Sequence, residues 1–107
     1  MNLPKRNEVT VTGTISQKEG PGFIKRLEGR ESAEVWFRIL IPRPDKPEEP
    51  VASILVVATL PDEQAEEYYR GLRSGIEVLV LGQLDMEYAP SINATSIKIL
   101  ADLVVFV

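Results

Sequence analysis

Only one stretch of this chain carries helical periodicity, and it lies among segments that read as strands. In residues 60–75 (LPDEQAEEYYRGLRSG), Ala65, Tyr68, Tyr69 and Leu72 recur at helical spacing behind Pro61. Asp62 is placed to act as N-cap, acids fill the first turns, and Arg70 and Arg73 come last, as the helix dipole prefers. Gly75 is expected to stop the helix. A single helix among strands excludes strand–helix alternation, and with it a doubly wound parallel sheet.

Five segments read as strands. Residues 8–16 (EVTVTGTIS) set Val9, Val11 and Ile15 on one face and three threonines on the other, with Gly13 as a bulge or bend. Residues 34–41 (EVWFRILI) set Val35, Phe37, Ile39 and Ile41 against Trp36, Arg38 and Leu40. Residues 51–59 (VASILVVAT) are an apolar, β-branched run. Residues 76–84 and 97–107 (IKILADLVVFV) supply the fourth and fifth strands, the fourth broken near its end by Gly82. Residues 42–50 (PRPDKPEEP) hold four prolines and read as a stiff surface loop. Residues 88–95 read as a short connection.

Strand, strand, strand, helix, strand, strand is the order of the OB-fold. The expectation is all-β: a five-stranded OB-fold Greek-key barrel with one helix between strands three and four, residues 1–107 forming a single domain. Strands that curl this tightly need glycines where they bend, and Gly13 and Gly82 sit at such places.

Composition narrows the chemistry. The chain has no cysteine and no histidine, which removes thiolate catalysis and the commonest general base and metal ligand. The acids at 62, 63, 66 and 67 are accounted for by the helix dipole, so neither an enzyme nor a metal or cofactor is expected. The start, MNLPKRNEV, lacks an apolar leader, and no run reaches membrane-spanning length, so a cytoplasmic protein without membrane attachment is expected. The net charge of −4 is polarised: residues 1–46 carry nine Lys/Arg against six Asp/Glu, and residues 47–107 carry three against ten. A basic half can meet phosphate even when the whole chain is acidic.

Three stretches resemble the bacterial single-stranded DNA-binding proteins and their relative, primosomal replication protein N. NEVTVTGTI (7–15) looks like the family's opening Asn-x-Val-x-Leu-x-Gly-x-Leu. AEEYYRGLRSGIEVLVLGQL (65–84) is similar to its helix end, glycine turn and Val-x-Val-x-Gly-x-Leu strand. SIKILADLVVFV (96–107) looks like its last strand. The resemblance implies a homodimer or homotetramer of OB-folds that binds single strands through basic grooves and aromatic platforms. It implies single-stranded DNA as partner, with RNA left open, and replication proteins as further partners. The chain departs from the pattern where residues 53–58 carry no aromatic and where Asp85, Met86 and Glu87 replace the usual cations. It also stops at Val107, short of the family's long linker and acidic tip, so an accessory role in replication or recombination is expected rather than that of the main strand protector.

Trp36 and Arg38 lead the candidate site. If Val35, Phe37 and Ile39 fill the barrel, both point outward on the face that OB-folds present to nucleic acid, where a base can stack. The other reading packs Trp36 in a subunit interface or beneath the proline loop. Phe23, Lys25 and Arg26 add an aromatic and two cations from the first loop, unless Phe23 is only an apolar anchor. Lys98 joins them from the last strand. Tyr88 reads as a half-buried cap on the barrel. The rival function is an OB-fold protein-interaction module that has lost the groove, with the aliphatic 51–58 strand as its interface.

Overall fold

The computed structural model describes residues 6–18, 22–46 and 48–107, with the backbone alone for residues 50–52; Lys5, residues 19–21 and Pro47 of the stretches above lie outside the described residues. Seven elements follow one another: β1 (Val9–Ser16), β2 (Phe23–Arg26), β3 (Ser32–Pro42), β4 (Pro50–Pro61), α1 (Asp62–Gly71), β5 (Glu77–Ala89) and β6 (Ala94–Phe106). The strands lie in the order β1-β5-β6-β4-β3-β2, and β1 returns to pair with β3. Five of them therefore close a ring, β1-β5-β6-β4-β3, in which β4 and β6 run parallel and the other pairs antiparallel. This is the OB-fold barrel, with its helix between the third and fourth strands of the ring.

β2 is an addition to the expected five strands. It pairs with Ala33 to Trp36 on the edge of β3 that β1 leaves free, while β1 occupies Arg38 to Leu40 on that same edge. A four-residue strand carrying Lys and Arg gives little periodic signal, and here it is held by the neighbouring strand rather than by its own pattern.

Alternation decides the core. Val35, Phe37 and Ile39 of β3 point inward and are buried, as are Ile15, Val56, Val78, Val80, Ile99 and Val104. Fully burying side chains of this size stabilises by about 1.5–3 kcal/mol each. α1 packs on β2, β3 and β4 and closes one end of the barrel with Ala65 and Leu72. Tyr68 lies edge-on to Phe106 and its hydroxyl donates to Val104 O at 3.0 Å, which occupies a carbonyl that β6 offers to no strand on that side. Pro61, not Asp62, is the N-cap residue, and among the described residues no side chain makes a capping hydrogen bond to the helix start. The Asp62 carboxylate instead faces Arg26 at 3.3 Å. The helix stops at Gly71, four residues before Gly75, which turns into β5 with φ of 95°.

The two expected bends have different causes. At Gly13, β1 passes from β5 to β3, and a Cβ there would lie 2.7 Å from Leu40 O. At Gly82 the β5–β6 register shifts, and a Cβ would collide with Leu100 O and the Ala101 backbone. Beyond Gly82 the β5–β6 hairpin runs to Ala89 and Ala94, so half of the expected connection at 88–95 is strand and only 90–93 turn. The Asn7 amide extends the sheet past β1: it donates to Leu84 O and accepts from Leu84 N, both at 2.9 Å. Among the described residues, no helix is long and apolar enough to cross a membrane.

Candidate nucleic-acid interface

The outward residues of β3 are Trp36, Arg38 and Leu40, because their neighbours Val35, Phe37 and Ile39 are drawn into the core. Register carries two rows across the outer face. One runs Phe23, Trp36, Val57, Leu100, Gln83; the next runs Arg38, Leu55, Lys98, Asp85. The first row brings two rings together. Phe23 and Trp36 stack with centroids 5.3 Å apart and planes inclined by 16°. Phe23 is 49% exposed and forms the open end of the stack.

Lys98 completes the platform from two strands away. Its side chain reaches across β4 and sets Nζ 5.3 Å from the centre of the Trp36 ring, a cation–π placement. Val57, between Trp36 and Leu100 in the row, is only 3% exposed although it faces outward. The aliphatic floor of the site is thus covered by the platform. Val56 and Ala58 face the core, and β4 is flanked on both sides by β3 and β6, so residues 56–58 are buried within this chain and offer no free interface.

Five of the six candidate residues share the outer face, and one does not. Phe23, Lys25, Trp36, Arg38 and Lys98 lie on it, Lys25 directly opposite Glu34 in the β2–β3 ladder. Arg26 has the opposite parity, pairs in register with buried Ala33, and turns its guanidinium to the helix. There it meets Glu66 Oε1 at 2.6 Å and Asp62 Oδ1 at 3.3 Å. Tyr88 is not the half-buried cap expected: it stands exposed near the tip of the β5–β6 hairpin, its hydroxyl donating to Asn93 Oδ1 at 2.7 Å.

Two acids were missed as members of the site. Asp85 Oδ2 is 3.6 Å from Lys98 Nζ. Glu34 Oε1 accepts a long hydrogen bond, 3.4 Å, from Trp36 Nε1. The first was readable in principle: once Ala89 is set opposite Ala94, counting back along an antiparallel hairpin puts Asp85 opposite Lys98. Among the described residues no group of three or more His, Cys, Asp or Glu is placed to hold a metal ion.

A second outer surface lies around the barrel from the platform. Leu79 and Leu81 of β5 stand beside Leu103 and Val105 of β6, with Thr10 and Thr12 of β1 on their other side. Leu103 is 49% exposed and Val105 40%. Among the described residues the 9–13 part of β1 pairs with β5 alone, which leaves its other edge open.

Solved structures with the same fold are numerous. A dimeric N-terminal domain of PriB from Thermoanaerobacter tencongensis superposes with a TM-score of 0.64 at 19% identity, covering 94% of this chain and 96% of that one. The Plasmodium falciparum SSB in complex with single-stranded DNA gives 0.67 at 18% identity, covering 100% and 99%. A deletion mutant of the Thermus aquaticus single-stranded DNA-binding protein gives 0.68 at 17% identity; this chain covers 41% of its length. The chain thus shares its OB-fold with these structures. No family model matches the sequence. No curated protein matches it either.

Proposed function

We propose that this protein binds single-stranded DNA without sequence preference, as a non-enzymatic accessory factor in replication or recombination. The observation that carries the reading is the stacked Phe23–Trp36 pair with the Lys98 ammonium over the indole, on the outer face of the barrel. Every base has a face that can continue such a stack, so the platform favours unpaired bases and is indifferent to their order. Phe23 offers the next surface of the stack, Arg38 and Lys25 flank it, and the aliphatic floor at Val57 keeps water from beneath it. Each stacked base contributes about 1–3 kcal/mol. That the Plasmodium SSB is in complex with single-stranded DNA on the same fold supports the reading.

The protein would act as a homo-oligomer of at least two chains in the cytoplasm, residues 1–107 serving as one domain. The aliphatic face of β5 and β6 beside the open β1 edge supports self-association, since such surfaces and edges are stabilised by cover. The dimeric state of the PriB domain is in keeping with this. RNA would meet the same stacking surface, and replication proteins are the natural further partners of such a factor. Titrating a fluorescent oligothymidine at low salt tests the proposal. Saturable binding at micromolar protein, weakened in Trp36→Ala, is expected. Absence of binding would leave the interaction-module reading in its place.

A further inference from the structure

The ammonium that lies over Trp36 already holds an anion. Lys98 Nζ is 3.6 Å from Asp85 Oδ2 and 5.3 Å from the centre of the indole ring. The two residues face each other directly across β5 and β6, so sheet register fixes the pair. The indole N–H of the same tryptophan is directed at Glu34 Oε1. Both polar donors of the platform are thus occupied by carboxylates of the chain itself. A single, partly exposed pair at 3.6 Å contributes little to stability, which leaves its position beside the stack as the feature in need of a reason.

We infer that Asp85 is a built-in competitor for backbone phosphate: a carboxylate that occupies Lys98 in the free protein and yields it when a strand arrives. The inference rests on the proposed single-strand binding and names the residue that limits its affinity. A phosphate beside the stacked base has to share Lys98 with Asp85 or displace it, and either way the carboxylate repels the strand. Together Lys98 and Asp85 bring no net charge to the strand, so the pair releases few counterions on binding. The result is a platform that holds bases by stacking while holding phosphate weakly, suited to exchange a strand rather than to retain it.

The test is a set of oligothymidine titrations on wild type, Asp85→Asn, Glu87→Gln, Lys98→Ala and Asp85→Asn/Lys98→Ala, read through quenching of the single tryptophan and repeated across salt. Asp85→Asn should tighten binding at low salt by about fivefold, the upper range for an exposed pair. Its plot of log K against log salt should steepen by about 0.7, one further phosphate neutralised on a single strand. Glu87→Gln removes a carboxylate one step along the same face and should gain less than about twofold. In the Lys98→Ala background the gain from Asp85→Asn should fall to the Glu87→Gln level. A gain from Asp85→Asn no larger than that from Glu87→Gln, or one that survives intact without Lys98, would reduce Asp85 to general repulsion and overturn the inference while binding itself stands. No binding by any variant, Asp85→Asn included, would overturn the single-strand reading and the inference with it.

Discussion

The barrel presents two outer surfaces that share β5 and β6, and they differ in chemistry. Around Trp36 the exposed side chains are aromatic and cationic, each already in contact: Phe23 with Trp36, Trp36 with Lys98, Lys98 with Asp85. Around Leu103 they are aliphatic, side by side with Leu79, Leu81 and Val105. Bases offer planar faces and phosphate charge, which suits the first surface; an aliphatic sheet face offers neither and suits another protein surface. Strands β5 and β6 serve both, with Asp85 and Lys98 toward their shared turn and Leu79, Leu81, Leu103 and Val105 toward the far end. The difference sets two surfaces of unlike chemistry at opposite ends of one hairpin.

Loss of the shared scaffold should have the largest effect. Gly82→Val drives a side chain into Leu100 O where β5 bends, and should cost about 3 kcal/mol or more in urea denaturation, removing both surfaces together. Trp36→Ala should weaken oligothymidine binding by about tenfold, within the range for one stacked base, and leave the mass measured by light scattering unchanged. Leu103→Glu should do the reverse. It should shift the oligomer toward smaller species in light scattering while changing oligonucleotide affinity by less than about threefold, because charge at an apolar interface is costly and the residue lies away from the stack. If Leu103→Glu abolished DNA binding and left the mass intact, the division between the surfaces would be wrong.

The smallest expected effect sharpens the boundary of the platform. Arg26→Ala should change oligonucleotide affinity by less than about twofold, because its guanidinium faces Asp62 and Glu66 on the helix side. Its exposed ion pairs should also leave thermal stability nearly unchanged. A loss as large as that of Trp36→Ala would mean that the strand passes over the helix as well as the stack.

Much of the barrel was legible before the chain folded. Period-two alternation in residues 34–41 set Val35, Phe37 and Ile39 inside and Trp36 and Arg38 outside, and the sheet follows it residue for residue. Gly13 and Gly82 marked the two places where strands change partner or register. The aliphatic second surface was less legible. In VLVL (78–81) both faces of the strand are apolar, a pattern that signals cover on both sides without saying what covers the outer one. The separation of Arg26 from Lys25 and Phe23 was hidden as well. A stretch read as loop has no parity, and only its pairing with β3 as a strand sends alternate residues to opposite faces.

The sequence by itself determined the barrel, its inward residues and the outward direction of Trp36, because alternation, glycine and a lone helix are local properties with few global solutions. Tertiary structure alone decided what meets on that outer face. Phe23, Trp36, Lys98 and Asp85 come from four strands, and their union depends on strand order, a parallel β4–β6 pairing and one hairpin register. Those are long-range choices. No local pattern encodes which distant side chain a lysine will cross a strand to reach.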